Sequence, residues 1–213
     1  LGDVYKRQII ESVDLMQIAI PKELVAGERR APLVPDAVKK LVRLGAKVTV
    51  ENGVGSGAGF SDDEYQQAGA SLSGDRAALL ANADMVLRVR KPSLEDIALL
   101  KSGCIHVSFL DPFNEVAIID ALKEKNISAI SMEMVPRSTR SQKMDALSSQ
   151  ANLAGYVMVL KAASYLPSIL PMMMTPAGTL KPAKVFVIGA GVAGLQAIAT
   201  AKRCLLYTSD AAD

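Results

Sequence analysis

The sequence predicts an α/β protein made of two parallel-sheet domains joined by a long helix, the second broken off after its first βα unit. Three observations carry this. From Met16 to Ser131, short β-branched or apolar runs alternate with segments of helical periodicity, the pattern of a doubly wound parallel sheet. Asp145 to Ser164 then reads as one long helix. Finally, Val185 to Ile188 opens into Gly189-x-Gly191-x-x-Gly194 and a helix-permissive stretch, Leu195 to Lys202.

Taken in order, Gln17–Ile20 is the first strand. Pro35 to Leu44 has helical periodicity and is closed by Gly45, and Lys47-Val-Thr-Val-Glu51 alternates as a second strand. A glycine-rich loop runs from Gly53 to Gly59. Asp62 to Ala68 and Asp75 to Ala81 are short helices, and Asp84 to Arg90 is a strand ending at Lys91-Pro92. Leu94 to Leu100 is helical, Cys104 to Leu110 a strand, Asn114 to Lys125 an amphipathic helix and Ile127 to Ser131 another strand. Val135 to Lys143 is polar, basic and rich in Pro and Ser, which disfavours regular structure. The long helix beyond it places Leu147, Ala151, Ala154, Met158 and Ala162 near one face. Asp145 suits the positive end of that helix, and Ser141 or Ser148 would add to its capping. Leu166 to Lys181 reads as a Pro- and Met-rich loop. The expected organisation is a leader over 1–15, an N-terminal α/β domain over 16–144, a connecting helix over 145–166, and the start of a Rossmann-like domain over 183–203. A ligand cleft is expected between the two domains.

The glycine motif is the fingerprint of a dinucleotide-binding βαβ unit. Gly189 permits a tight turn, Gly191 lets the backbone approach a pyrophosphate, and Gly194 allows helix and strand to pack closely. Around Val192 and Ala193, the first helical turn offers N–H groups and a positive dipole end to phosphate. The unit should continue into a strand ending in an acidic residue roughly 20 positions on. Asp210 stands near that distance, but Thr208-Ser209-Asp210 reads as a turn and no β-run leads into it.

Leu1 to Gln8 and Cys204 to Asp213 resemble translated adaptor sequence and join no neighbouring periodicity, so both ends are expected to be foreign, with a natural start at Met16. Half of the 213 residues are hydrophobic and the net charge is +2, a balance that argues against a nucleic-acid partner. Two cysteines, Cys104 and Cys204, exclude a disulfide framework and fit a reducing compartment. One histidine and one credible cysteine leave no ligand cluster for a metal. Pro167 and Pro171 break the longest apolar patch, so it is not expected to span a bilayer.

Several of these residues also resemble a known family. Ile18-Ala-Ile-Pro-Lys-Glu23 and Gly27-Glu-Arg-Arg-Ala-Pro-Leu-Val-Pro35 resemble the opening of the alanine dehydrogenase and nicotinamide nucleotide transhydrogenase superfamily. Val135 to Tyr156, with its Arg-Ser-Thr-Arg-Ser-Gln-Lys-Met-Asp core, is similar to the loop and helix of domain I in proton-translocating NAD(P) transhydrogenases, alpha subunit. Met172 to Val185 and the glycine fingerprint continue that match. The resemblance implies NAD(H) as cofactor, with Arg137, Gln142, Asp145 and Ser148 around its nicotinamide and Gly189, Gly191, Val192, Ala193 and Gly194 at its pyrophosphate. It also implies NADP(H) on a partner domain, whose nicotinamide Gln142 would hold, and an Arg137–Asp145 ion pair. Hydride would pass from NADH to NADP⁺, coupled to proton translocation. The further implications are a homodimer, membrane and NADP-binding partner domains or subunits, and a cytoplasmic site peripheral to the bacterial inner membrane.

Two rival readings remain. Alanine dehydrogenases carry a catalytic histidine after a strand such as Val107 to Leu110, where this chain has Asp111-Pro112-Phe113; their substrate-binding pair would map to Arg30 and Arg90. His106 lies within the strand and is expected to pack in the sheet. The other rival is a non-catalytic NAD-sensing module. Lys143 is expected to face solvent, and Glu23, Glu51, Glu133, Lys22 and Lys91 are either cleft residues or fold-bearing polar groups.

Overall fold

A computed structural model describes residues 16–204. The expectations for residues 1–15, and for Asp210 and the chain around it, lie outside the described residues. The chain divides into two compact units, one up to Pro136 and one from Arg137 onward.

The N-terminal unit is a six-stranded parallel sheet: β1 (Gln17–Ile20), β2 (Lys47–Glu51), β3 (Ser71–Ser73), β4 (Met85–Leu87), β5 (Ile105–Ser108) and β6 (Ser128–Ser131), in the order β3-β2-β1-β4-β5-β6. Five helices connect them: α1 (Pro35–Arg43), α2 (Asp62–Gln67), α3 (Arg76–Ala81), α4 (Leu94–Leu99) and α5 (Val116–Glu124). Alternation along β1 separates two cores. Ile18 and Ile20 pack with Val38 of α1 and Tyr65 of α2, whereas Ala19 packs with Leu79, Leu80, Ile97, Ile118 and Leu122 of α3 to α5. Helices therefore cover both faces, as parallel strands require. Local signals set the boundaries. Pro35 opens α1 and the positive φ of Gly45 follows its end. Ser61 and Glu64 close a reciprocal capping box on α2, while Asp75 and Ser93 cap α3 and α4.

The strands expected in this unit are present, but β4 and β5 are shorter than expected, pairing Met85 to Leu87 with Ile105 to Val107, with backbone bonds from Arg88 to Val107 and from Phe109 to Val89 continuing past them. β3 has no counterpart among the expected strands: Ser-Leu-Ser carries no β-branched residue, and only its register against Thr49 to Glu51 makes it a strand.

The second unit contains the twenty-residue helix α6 (Ala146–Tyr165), a hairpin of β7 (Met173–Thr175) and β8 (Gly178–Leu180), and α7 (Val192–Cys204). The hairpin corrects the expected loop, with Pro176 in its turn and Gly178 at φ 128°. Val185 to Ile188, expected as a strand, is in no ladder, since a strand needs a neighbour and none of the described strands pairs with it. Among the described residues, the stretch expected to open the second domain is thus a turn followed by a helix. The predicted face of α6 is also corrected. Gly155 and Val159 are its buried residues, whereas Met158 is 65% exposed. Its polar residues, Ser148, Ser149, Gln150, Asn152, Lys161 and Ser164, are spread around the helix, so hydrophobic periodicity does not select a face; the small residues that admit α7 do. Among the described residues, no helix is long and apolar enough to cross a membrane.

Candidate functional site

In sheets of this strand order, ligands sit outside the carboxyl ends of the strands where the order reverses, here between β1 and β4. In the N-terminal unit that position is filled by the protein's own ions. Arg88, just beyond β4, donates from Nη1 to Asp96 Oδ2 at 2.6 Å and lies 3.4 Å from Glu23. Arg76 grips Asp96 with two bonds of 2.9 and 2.8 Å and donates to Glu51 at 2.6 Å. Glu23 also accepts from the backbone N–H groups of Val89 and Arg90. Burial works to raise the Asp96 pKa, but the bonds and charges of Arg76 and Arg88 outweigh it and hold the carboxyl below its ordinary value.

Arg30 and Arg90, the two cations of interest for an oxoacid, both bind Glu28. Arg30 donates from Nη2 at 2.6 Å and Arg90 from Nε at 2.7 Å. The Arg30 bond foremost pulls the Glu28 pKa down to about 2, so this carboxylate stays charged between them. Asp111, at the position of interest for a catalytic histidine, adopts φ 51° and accepts from Asn114 through both oxygens. His106 is fully buried in β5, as expected. Glu51 and Glu133 act as acceptors for backbone and side-chain donors within the fold, and Lys91 pairs with Glu115.

The second unit holds a cleft of about 340 Å³. One wall is the glycine turn, from Ile188 through Gly194; the other is the start of α6, with Leu147, Ser148 and Ala151, together with Arg137. The turn has the geometry that its sequence calls for. Gly189 is at φ 97°. A Cβ on Gly194 would lie 1.9 Å from the Gly189 carbonyl oxygen, while one on Gly191 would meet nothing within 4 Å. The middle glycine thus leaves backbone open to the cleft, and α7 begins beside it, with Leu195 N–H donating to Gly191 O at 2.8 Å. These features fit the phosphates of a dinucleotide.

Asp145 is the N-cap of α6. It accepts from Ser148 N at 2.9 Å and from Ser148 Oγ at 2.6 Å. Those two bonds foremost lower its pKa, and Arg137 adds through its charge rather than through the direct ion pair expected from sequence. The arrangement brings Arg137 and Ser148 to the glycine turn. Asp145 stands behind Ser148, outside the cleft wall, and Gln142 lies exposed in a 3-10 turn (Gln142–Met144). Lys143 is exposed, as expected. Sequence reasoning does not single out Leu147, Ala151 or Ile188 as cleft residues; the four-residue spacing of Leu147 and Ala151 on one helix is the available signal.

Fold and site define a doubly wound α/β protein with a dinucleotide-type glycine turn. Residues 19–154 match the family described as alanine dehydrogenase/PNT, N-terminal domain, and residues 158–206 match its C-terminal domain. The chain belongs to the alanine dehydrogenase/PNT family. It is 47% identical over 193 residues to an NAD(P) transhydrogenase subunit alpha protein of Rhodospirillum rubrum, a match covering 88% of this chain and 50% of that protein. The solved transhydrogenase from Sinorhizobium meliloti superimposes with a TM-score of 0.85 at 46% identity, over 89% of this chain and 54% of that one. A solved L-alanine dehydrogenase gives a TM-score of 0.79 at 29% identity, over 89% and 52%. The chain therefore spans about half the length of these relatives.

Proposed function

We propose that this chain is the NAD(H)-binding portion of a transhydrogenase that passes hydride from NADH to NADP⁺, coupled to proton translocation through partner domains. The observation that carries the reading is the cleft in which Arg137 and Ser148 meet the open backbone at Gly191. When bound, NADH supplies a hydride that moves directly to a second nicotinamide, so the step needs no acid or base from the protein. This chain's residues bind, orient and exclude water. Gly189 to Gly194, with Val192 and Ala193, receive the pyrophosphate on the α7 N-terminus. Arg137 and Ser148 face the nicotinamide half, and Asp145 holds Ser148 in place through two bonds. Gln142, exposed on its turn, is available to a second nicotinamide on an NADP(H)-binding partner. A homodimer, a membrane partner, and a cytoplasmic site peripheral to the inner membrane belong to the same reading.

The alanine dehydrogenase reading is less well supported. Glu28 binds both Arg30 and Arg90 and offsets part of their charge, and Asp111 stands where a proton-donating histidine would be needed. The test is NADH-to-NADP⁺ hydride transfer with the gene's full-length product and its NADP-binding partner. Asp145→Asn and Gln142→Ala are each expected to slow transfer by roughly 10- to 100-fold, with modest loss of NADH affinity. Full rates in both variants overturn the site assignment. Amination of pyruvate by the unaltered protein favours the dehydrogenase instead, and NADH binding without transfer to any acceptor favours a sensing module.

A further inference from the structure

Gly155 stands in the middle of α6, where glycine costs about 1 kcal/mol relative to alanine. The contacts around it supply a steric reason. A Cβ built on Gly155 would lie 2.2 Å from the carbonyl oxygen of Ala193, 3.0 Å from its carbonyl carbon and 3.1 Å from its Cα. The obstruction is backbone, so no rotamer change relieves it. Ala193 lies in the first turn of α7, between Gly191 and Gly194. Farther along the pair, the two helices meet through side chains instead, with Val159 and Ala163 of α6 packed with Ala197 and Ala201 of α7. The backbone approach at Gly155 thus falls on the end of α7 that carries the glycine turn. The start of α6 carries Asp145 and Ser148, so the depth at which α7 seats on α6 fixes how far the turn stands from them.

We infer that Gly155 is a positioning residue of the dinucleotide site: its missing side chain lets the first turn of α7 seat against α6 and so sets the glycine turn relative to Ser148 and Arg137. Gly155 itself lies outside the cleft lining. The inference rests on the reading of this cleft as a dinucleotide site. Inserting one methyl forces the helices apart at the turn, in the manner of an overpacked core.

The test is fluorescence titration of NADH into the full-length product, unaltered and as Gly155→Ala, Gly191→Ala and Val159→Ala. Gly155→Ala is expected to weaken binding by about tenfold or more. Val159→Ala, which loosens the same helix pair away from the turn, is expected to lower the melting temperature and leave affinity within about twofold. If Gly191→Ala weakens NADH binding and Gly155→Ala does not, the inference is overturned while the dinucleotide reading stands. Unchanged affinity in Gly191→Ala, or no binding by the unaltered protein, overturns that reading itself. Hydrogen exchange on the unaltered protein adds a measurement free of any folding defect. NADH is expected to protect amides around Gly155 together with those of Val192 to Gln196, and protection confined to the latter sinks the inference.

Discussion

Asp96→Ala is expected to destabilise the N-terminal unit by about 3–5 kcal/mol, because it strips two guanidinium groups of a shared carboxylate. The Arg88 side chain is only 4% exposed, and its remaining carboxylate partner, Glu23, is 3.4 Å away. Arg76 is less harmed, since it keeps Glu51 and the Lys22 carbonyl oxygen. The reverse truncation is milder. Arg88→Met leaves Asp96 with both bonds from Arg76 and leaves Glu23 with two backbone donors, so neither carboxylate is orphaned. Urea unfolding followed by far-UV circular dichroism orders the two variants by midpoint. Equal losses, or a larger loss in Arg88→Met, contradict the account of which charge is left uncompensated.

His106 is expected to make the fold acid-labile between about pH 6.5 and 4. Burial foremost, and the Arg88 charge after it, push the imidazole pKa down to about 4 from its ordinary 6.5. The folded state therefore resists a proton that the unfolded chain accepts. The stability is fully present above pH 6.5 and is lost as pH falls toward 4, by about 3 kcal/mol in all. The depressed carboxylates have the same sign but act lower: Glu28 contributes stability that is lost as pH falls from about 4.5 toward 2. Comparing the unaltered protein with His106→Leu isolates the histidine. Urea midpoints of the variant are expected to stay flatter from pH 7 to 5, and parallel curves defeat the assignment.

The buried Glu28 carboxylate also bears on which branch of the family the chain follows. A carboxylate-binding pair is useful to an oxoacid enzyme only if its positive charge reaches the substrate. Here Glu28, its side chain 3% exposed, takes bonds from Arg30 and Arg90 alike. One carboxylate thus offsets one of the two positive charges and ties both guanidinium groups to itself. Sequence comparison of those two positions alone cannot register this, because the shared carboxylate is identified only by its contacts.

Where residues act on their near neighbours along the chain, the sequence was sufficient. Alternating apolar runs determined the parallel sheet, Pro35, Ser61, Asp75 and Ser93 determined helix starts, and the three glycines determined the turn at Gly189 to Gly194, since φ preference and steric reach are local properties. Contacts between distant segments were decided only by the tertiary structure. Ser71 to Ser73 became a strand through its ladder with β2, Val185 to Ile188 did not because no described strand pairs with it, and Glu23, Glu51, Arg76, Arg88 and Asp96 became one network from five separate places along the chain. The buried face of α6 belongs with these. A helix whose polar residues are scattered around its circumference has no preferred side of its own, and Gly155 won the contact because only a missing Cβ lets the Ala193 backbone come that close.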